Sequence, residues 1–151
     1  MIISIEGYRL PSGFIVREMS VIFDNGNFQH FEFKCPTGYY PTMQDQDTIK
    51  YTTRYLNEIH YYDDGLLPYS VVDDILRSLA NQTIYVGGHS TFNFITAKLP
   101  LTRVIDICKT FEFRYPKILL PSSKCFRQHN NRYCSAAKAE YVQGFLKTLI
   151  V

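Results

Sequence analysis

The sequence has no apolar run near the roughly 20 residues a membrane helix needs, so no membrane span is expected. Cysteine is scarce: four in 151 residues, too few for a disulfide-built scaffold. Residues 1–13 carry neither a basic start nor a long apolar core, so no secretory leader is expected there. These features point to an intracellular setting, nucleus or cytoplasm. No repeat, low-complexity tract or linker breaks the chain. With 46% hydrophobic and 20% charged residues, wholesale disorder and a collagen-like chain are excluded. The length predicts one domain over residues 1–151, burying about 70% of its unfolded surface.

Charge is present but uneven. Residues 1–97 carry six Lys/Arg against eleven Asp/Glu, a net of −5. Residues 98–151 carry ten against three, a net of +7. Such asymmetry points to an anionic partner, or to acidic and basic surfaces that offset each other within one domain.

The first third reads as strands. From Ile2 to Tyr8, Ile3 and Ile5 share one side, Ser4 and Glu6 the other. Phe14 to Phe23 is apolar on both faces apart from Arg17, Glu18 and Ser20, the pattern of a central strand. Asp24-Asn25-Gly26-Asn27 is a hairpin turn, because Asn-Gly tolerates positive φ. Asn27 to Cys35 returns with Phe31 and Phe33 on one face. Helical spacing follows at Ile49, Thr52, Leu56 and Ile59. A second helix has Val71, Val72, Ile75, Leu76 and Leu79 on its core face and Ser70 placed as N-cap. Thr83–Val86 and Val104–Cys108 read as short buried strands flanking a helix near Ser90–Leu99. From Cys134 the chain is helical, with Val142, Phe145, Leu146 and Leu149 in phase. The expected fold is α/β: a five-stranded mixed sheet, an antiparallel three-strand meander then parallel strands, flanked by helices.

The sharpest local motif is Cys125-Phe-Arg-Gln-His129-Asn-Asn-Arg-Tyr-Cys134, within a segment of about residues 122–136. Three soft or borderline donors within ten residues suit tetrahedral zinc, which would order a loop that lacks regular hydrogen bonding. The spacing is not that of a zinc-finger pair, and the bland alternative is two free thiols and a surface histidine. A distant fourth donor is needed, for which Cys108 and Cys35 are candidates. A closed four-ligand site would be structural; water in the fourth place would keep a catalytic option.

The same last third alternates basic and aromatic residues. Lys109, Phe111, Phe113, Arg114, Tyr115 and Lys117 are followed by Lys124, Phe126, Arg127, Arg132 and Tyr133. Cations neutralise phosphates and exposed rings stack on unpaired bases. The alternative is buried rings and a solvated charged face. Gly87-Gly88 lacks the Lys-Ser/Thr sequel of a phosphate loop, and His89-Ser90 lacks a nucleophile-elbow context.

The order of elements resembles the RNase H-like fold in the arrangement of the DEDDh exonucleases. Ser4-Ile5-Glu6-Gly7 stands where that family has Asp-x-Glu. Tyr85-Val86-Gly87-Gly88-His89 stands where the strand leads to its second acidic motif, and Cys134-Ser-Ala-Ala-Lys138-Ala resembles its final helix motif. Ile15-Val-Arg-Glu18-Met19, His30-Phe-Glu-Phe-Lys34, Asp63-Asp-Gly-Leu-Leu-Pro68-Tyr69 and the Cys/His cluster resemble degenerate relatives in insects, other invertebrates and their viruses. The nuclease-like domains of the Maelstrom family are similar, with a zinc site of one Glu, two Cys and one His. That resemblance nominates Glu18 as the fourth ligand beside Cys125, His129 and Cys134. A lone acid in an apolar strand agrees with this, since burying an unpaired carboxylate is costly; the alternative is a salt bridge.

The resemblance also implies lost catalysis. Two-metal chemistry needs four carboxylates and a general base. The aligned positions hold Ser4, Glu6, Asn93 or Thr91, Cys134 and Lys138. Glu6 is the remnant, and Lys138 puts a cation where the last Asp would stand. The expectation is a zinc-stabilised, non-enzymatic domain that binds single-stranded RNA or another nucleic acid through Lys109, Arg114, Lys117, Lys124, Arg127, Arg132 and Lys138. The alternatives are a Maelstrom-like ribonuclease with a non-ancestral site, and a protein-interaction or self-association module using Tyr39, Tyr40, Tyr61 and Tyr62.

Overall fold

A computed structural model describes residues 1–36, 42–55, 67–125 and 130–149. Three strands open it: β1 (Ile2–Leu10), β2 (Gly13–Ile22) and β3 (Phe28–Glu32). Helices α1 (Met43–Tyr55) and α2 (Val71–Ser78) follow. Then come β4 (Ile84–Val86), α3 (His89–Lys98), β5 (Val104–Asp106) and the short α4 (Ile107–Thr110). A 3-10 turn at Asn131–Tyr133 leads into α5 (Ser135–Thr148).

The sheet order is β3-β2-β1-β4-β5. The first three strands are antiparallel, and β4 and β5 run parallel to β1. This is the expected mixed sheet. The helical crossover through α3 lets β5 lie parallel to β4. The Asn-Gly turn forms as expected, with Gly26 at φ +88° and Phe23 N donating to Asn27 O at 2.9 Å. Val104–Asp106 ends sooner than expected, because the Asp106 side chain accepts from Cys108 N and starts α4. Ser70 occupies the N-cap of α2 but makes no side-chain capping bond.

The sheet is buried on both faces. Ile3, Ile5, Met19, Val21, Ile84 and Val86 pack with Val72 and Leu76 of α2 and Ile95 of α3. Ile2 and Ile22 pack on the other side with Ala139 and Val142 of α5. A register shift between Glu6 and Gly7 leaves Arg17 as the extra residue of a bulge. Arg17 is buried there, its Nε donating to Phe33 O at 2.9 Å. Gly7 has no room for a side chain: a Cβ would lie 1.9 Å from Ile15 O. Before the bulge, alternation sends Ile3 and Ile5 to one core and Ser4 and Glu6 toward α5.

Candidate metal centre

The hairpin register builds the centre. Glu18 lies opposite Glu32, and Ser20 opposite His30. Glu18 and His30 are therefore diagonal neighbours on one face. The start of α5 sits over that face: Ser135 N donates to Glu18 Oε1 at 2.5 Å, and Ser135 Oγ meets Ser20 Oγ at 2.9 Å. Glu18 has 0% exposure, and the positive end of α5 offsets part of the cost of burying its charge. Ser20 Oγ also meets His30 Nδ1 at 2.8 Å and orients the ring.

The loop before α5 brings the sulfur. Cys125 Sγ lies 3.9 Å from Glu18 Oε2. One donor atom each from Glu18, His30 and Cys125 lie within 4.8 Å of one another, so this group could hold a metal ion. Cys134, the buried N-cap of α5, packs against Cys125. Contact with Cys125, burial and the Glu18 carboxylate push the Cys134 thiol well above its ordinary range. Burial pulls the His30 imidazole down, but Cys125, Glu18 and Glu32 together outweigh it and leave it raised. The donor set of thiols, imidazole and carboxylate fits zinc better than a hard cation such as magnesium.

The expected ligands meet only in part. Glu18, Cys125 and Cys134 come together, whereas His129 and Arg127 lie outside the described residues, as do Tyr39, Tyr40, Tyr61 and Tyr62. His30 was not among the expected ligands. Its signal was in the hairpin: pairing Phe23 with Asn27 carries the register on to Ser20 and His30, beside Glu18. Cys108 and Cys35 belong to other packing clusters, away from Glu18.

Among the expected nucleic-acid contacts, Lys109, Arg114, Lys117, Lys124 and Arg132 are exposed. Lys138 is not presented outward. Its Nζ pairs with Glu6 Oε1 at 2.7 Å and lies 5.2 Å and 5.8 Å from the Tyr115 and Tyr133 ring centres. Glu6 is thus held by a cation on α5. Asp106 is committed as well: its Oδ1 accepts from Gly88 N and Cys108 N. Phe113 is buried and Tyr115 partly so, edge to face at 5.0 Å, with the Tyr115 ring beside Lys138 Nζ.

Burial drives the Tyr115 hydroxyl far above its ordinary value of 10, with Cys108, Glu6 and Asp106 adding to the effect. The unfolded chain ionises Tyr115 near pH 10 while the folded chain keeps it protonated, so stability falls as pH rises past 10. Thermal melts from pH 8 to 11 are expected to show that fall, and Tyr115→Phe to make it shallower. An unchanged slope in the variant would assign the alkaline loss to other groups.

Fold and site together define an α/β domain with a five-stranded mixed sheet and a Glu/His/Cys group able to hold a metal. No protein-family model, curated protein or solved structure matches the chain.

Proposed function

We propose that this is a zinc-stapled, catalytically silent RNase H-like domain that binds single-stranded RNA. The observation that carries it is the convergence of Glu18, His30 and Cys125 donor atoms, with Cys134 beside them, at the junction of β2, β3 and α5. Zinc there would be held by Glu18, the His30 ring through its buried Nε2, Cys125 and Cys134. It would tie the loop that carries the exposed cations to the sheet. Support for the RNase H-like reading is the order of elements, three antiparallel strands and then helices alternating with parallel strands. Support for silence is the Glu6–Lys138 pair. A carboxylate engaged by an ammonium, whose cross-strand neighbour Glu18 is taken up by Ser135 N and lies beside Cys125, is a poor magnesium ligand.

Elemental composition of the purified protein tests the metal: one zinc per chain is expected, and less in Cys125→Ser and His30→Ala. RNA binding rests on the exposed Arg114, Lys117, Lys124 and Arg132. If about four phosphates are neutralised, raising salt fourfold weakens single-stranded RNA binding about 50-fold. Lys117→Ala with Lys124→Ala is expected to flatten that salt dependence by about half. No binding at low salt would sink the RNA reading. Cleavage of RNA that vanishes in Glu6→Gln would favour the ribonuclease instead.

One observation favours a protein-interaction reading: Ile118 and Leu120 are 82% and 69% exposed on the strap before Cys125, beside Lys117. Concentration-dependent self-association, lost in Ile118→Ser with Leu120→Ser, would support it.

A further inference from the structure

The outer edge of the sheet carries a cleft of about 710 Å³, within the usual size of a small-ligand pocket. It lies between α3 and the β5–α4 connection, on the far side of β1 from the metal donors of β2 and β3. Three rings line it, Tyr85, Phe92 and Phe111, and two cations, Arg103 and Lys109. His89 also lines it, its Nε2 fixed by Asn93 Nδ2 at 3.0 Å. Phe111 is 44% exposed, and its ring rests on Phe145 at 6.4 Å, which holds it in place without covering it. Arg103 and Lys109 are exposed. The acid in the lining, Asp106, is buried and tied to two backbone N–H groups through Oδ1, so the cations dominate the cleft mouth.

Rings beside exposed cations match a flat, anionic ligand. Every nucleobase offers a π-face to an aromatic side chain, and phosphate is the anion that Arg and Lys bind through charge-assisted hydrogen bonds. A purely apolar ligand would leave Arg103 and Lys109 unused, and a bare anion would leave the rings unused. We propose that this cleft binds one nucleotide, its phosphate on Arg103 and Lys109 and its base against Phe92, Phe111 and Tyr85. The cleft deepens the RNA reading by giving the strand a seat for one nucleotide, and it shares only Lys109 with the residues first expected to touch nucleic acid.

The test is an amide-resonance titration of the full metal-loaded chain with uridine monophosphate, uridine, inorganic phosphate and a short oligouridine. The monophosphate is expected to shift Phe92, Arg103, Lys109 and Phe111, and to bind at least tenfold more tightly than uridine or phosphate. Arg103→Ala with Lys109→Ala should weaken it at least tenfold, and Phe111→Ala several-fold, with the rest of the spectrum preserved. Arg77→Ala, on α2 and outside the cleft lining, should leave monophosphate binding unchanged. Still cleft resonances, or phosphate alone binding as tightly as the nucleotide, would overturn the proposal. Oligouridine binding with a silent cleft would also overturn it while leaving the RNA reading intact. Monophosphate in the cleft without oligouridine binding would uphold the pocket as a free-nucleotide site and end the RNA reading.

Discussion

Chelation of zinc from the loaded protein is expected to lower its melting temperature by about 8–16 °C. A metal that binds only the folded chain adds about 4 kcal/mol of stability when present at a thousand times its dissociation constant. For a domain of this size each kcal/mol is worth about 2–4 °C. The effect is large because the donors come from distant parts of the chain. Glu18 and Cys125 are 107 residues apart, so a metal held there would close a loop that the unfolded chain leaves open. Calorimetry with and without chelator measures it. Glu18→Gln separates two roles of that carboxylate. Its amide oxygen can still accept from Ser135 N, so the α5 anchor survives while a charged metal ligand is lost. The variant should melt close to the chelated wild type and respond little to chelator. A melting temperature that chelation does not move would overturn the staple.

The second large effect belongs to Glu6 and Lys138. Their side chains are 5% and 16% exposed, and the pair spans 132 residues of sequence. Removing one partner of a buried ion pair leaves a desolvated charge without compensation, at a cost of about 3–5 kcal/mol. Lys138→Met is therefore expected to lower the unfolding free energy by about 3 kcal/mol, the lower end, because water reaches part of the ammonium. Replacing both partners by apolar residues of similar volume, Glu6→Leu with Lys138→Met, should recover most of that loss. Urea unfolding of the two single variants and the double variant closes the cycle. If the double variant loses the sum of the two single losses, the pair does not couple, and the damage comes from lost packing against Tyr115 and Tyr133.

Glu18 entered through the family resemblance, and an acid in a largely apolar strand agreed with it without separating a metal from a salt bridge. Cys125 and Cys134 were open to reading because three soft donors crowd one short segment. His30 was harder. Its strand is five residues long, and His129 offered the same chemistry closer in sequence to the cysteines. The turn at residues 24–27 nevertheless implies the register that sets His30 opposite Ser20. Arg103 and the cleft it lines had no local signal, since the cleft exists only where α3, β5 and α4 meet.

Alternation and helical spacing by themselves determined the order of elements, the Asn-Gly hairpin and the mixed sheet, because those patterns act over a few residues. The sequence alone could not decide which basic and aromatic residues face water. The tertiary structure buried Phe113 and half-buried Tyr115 against α5, turned Lys138 inward onto Glu6, and left Arg114, Lys117, Lys124 and Arg132 outside. The physical reason is separation along the chain. Whether a cation faces solvent or a carboxylate more than a hundred residues away depends on how α5 docks on the sheet, and that docking is settled by the whole core at once.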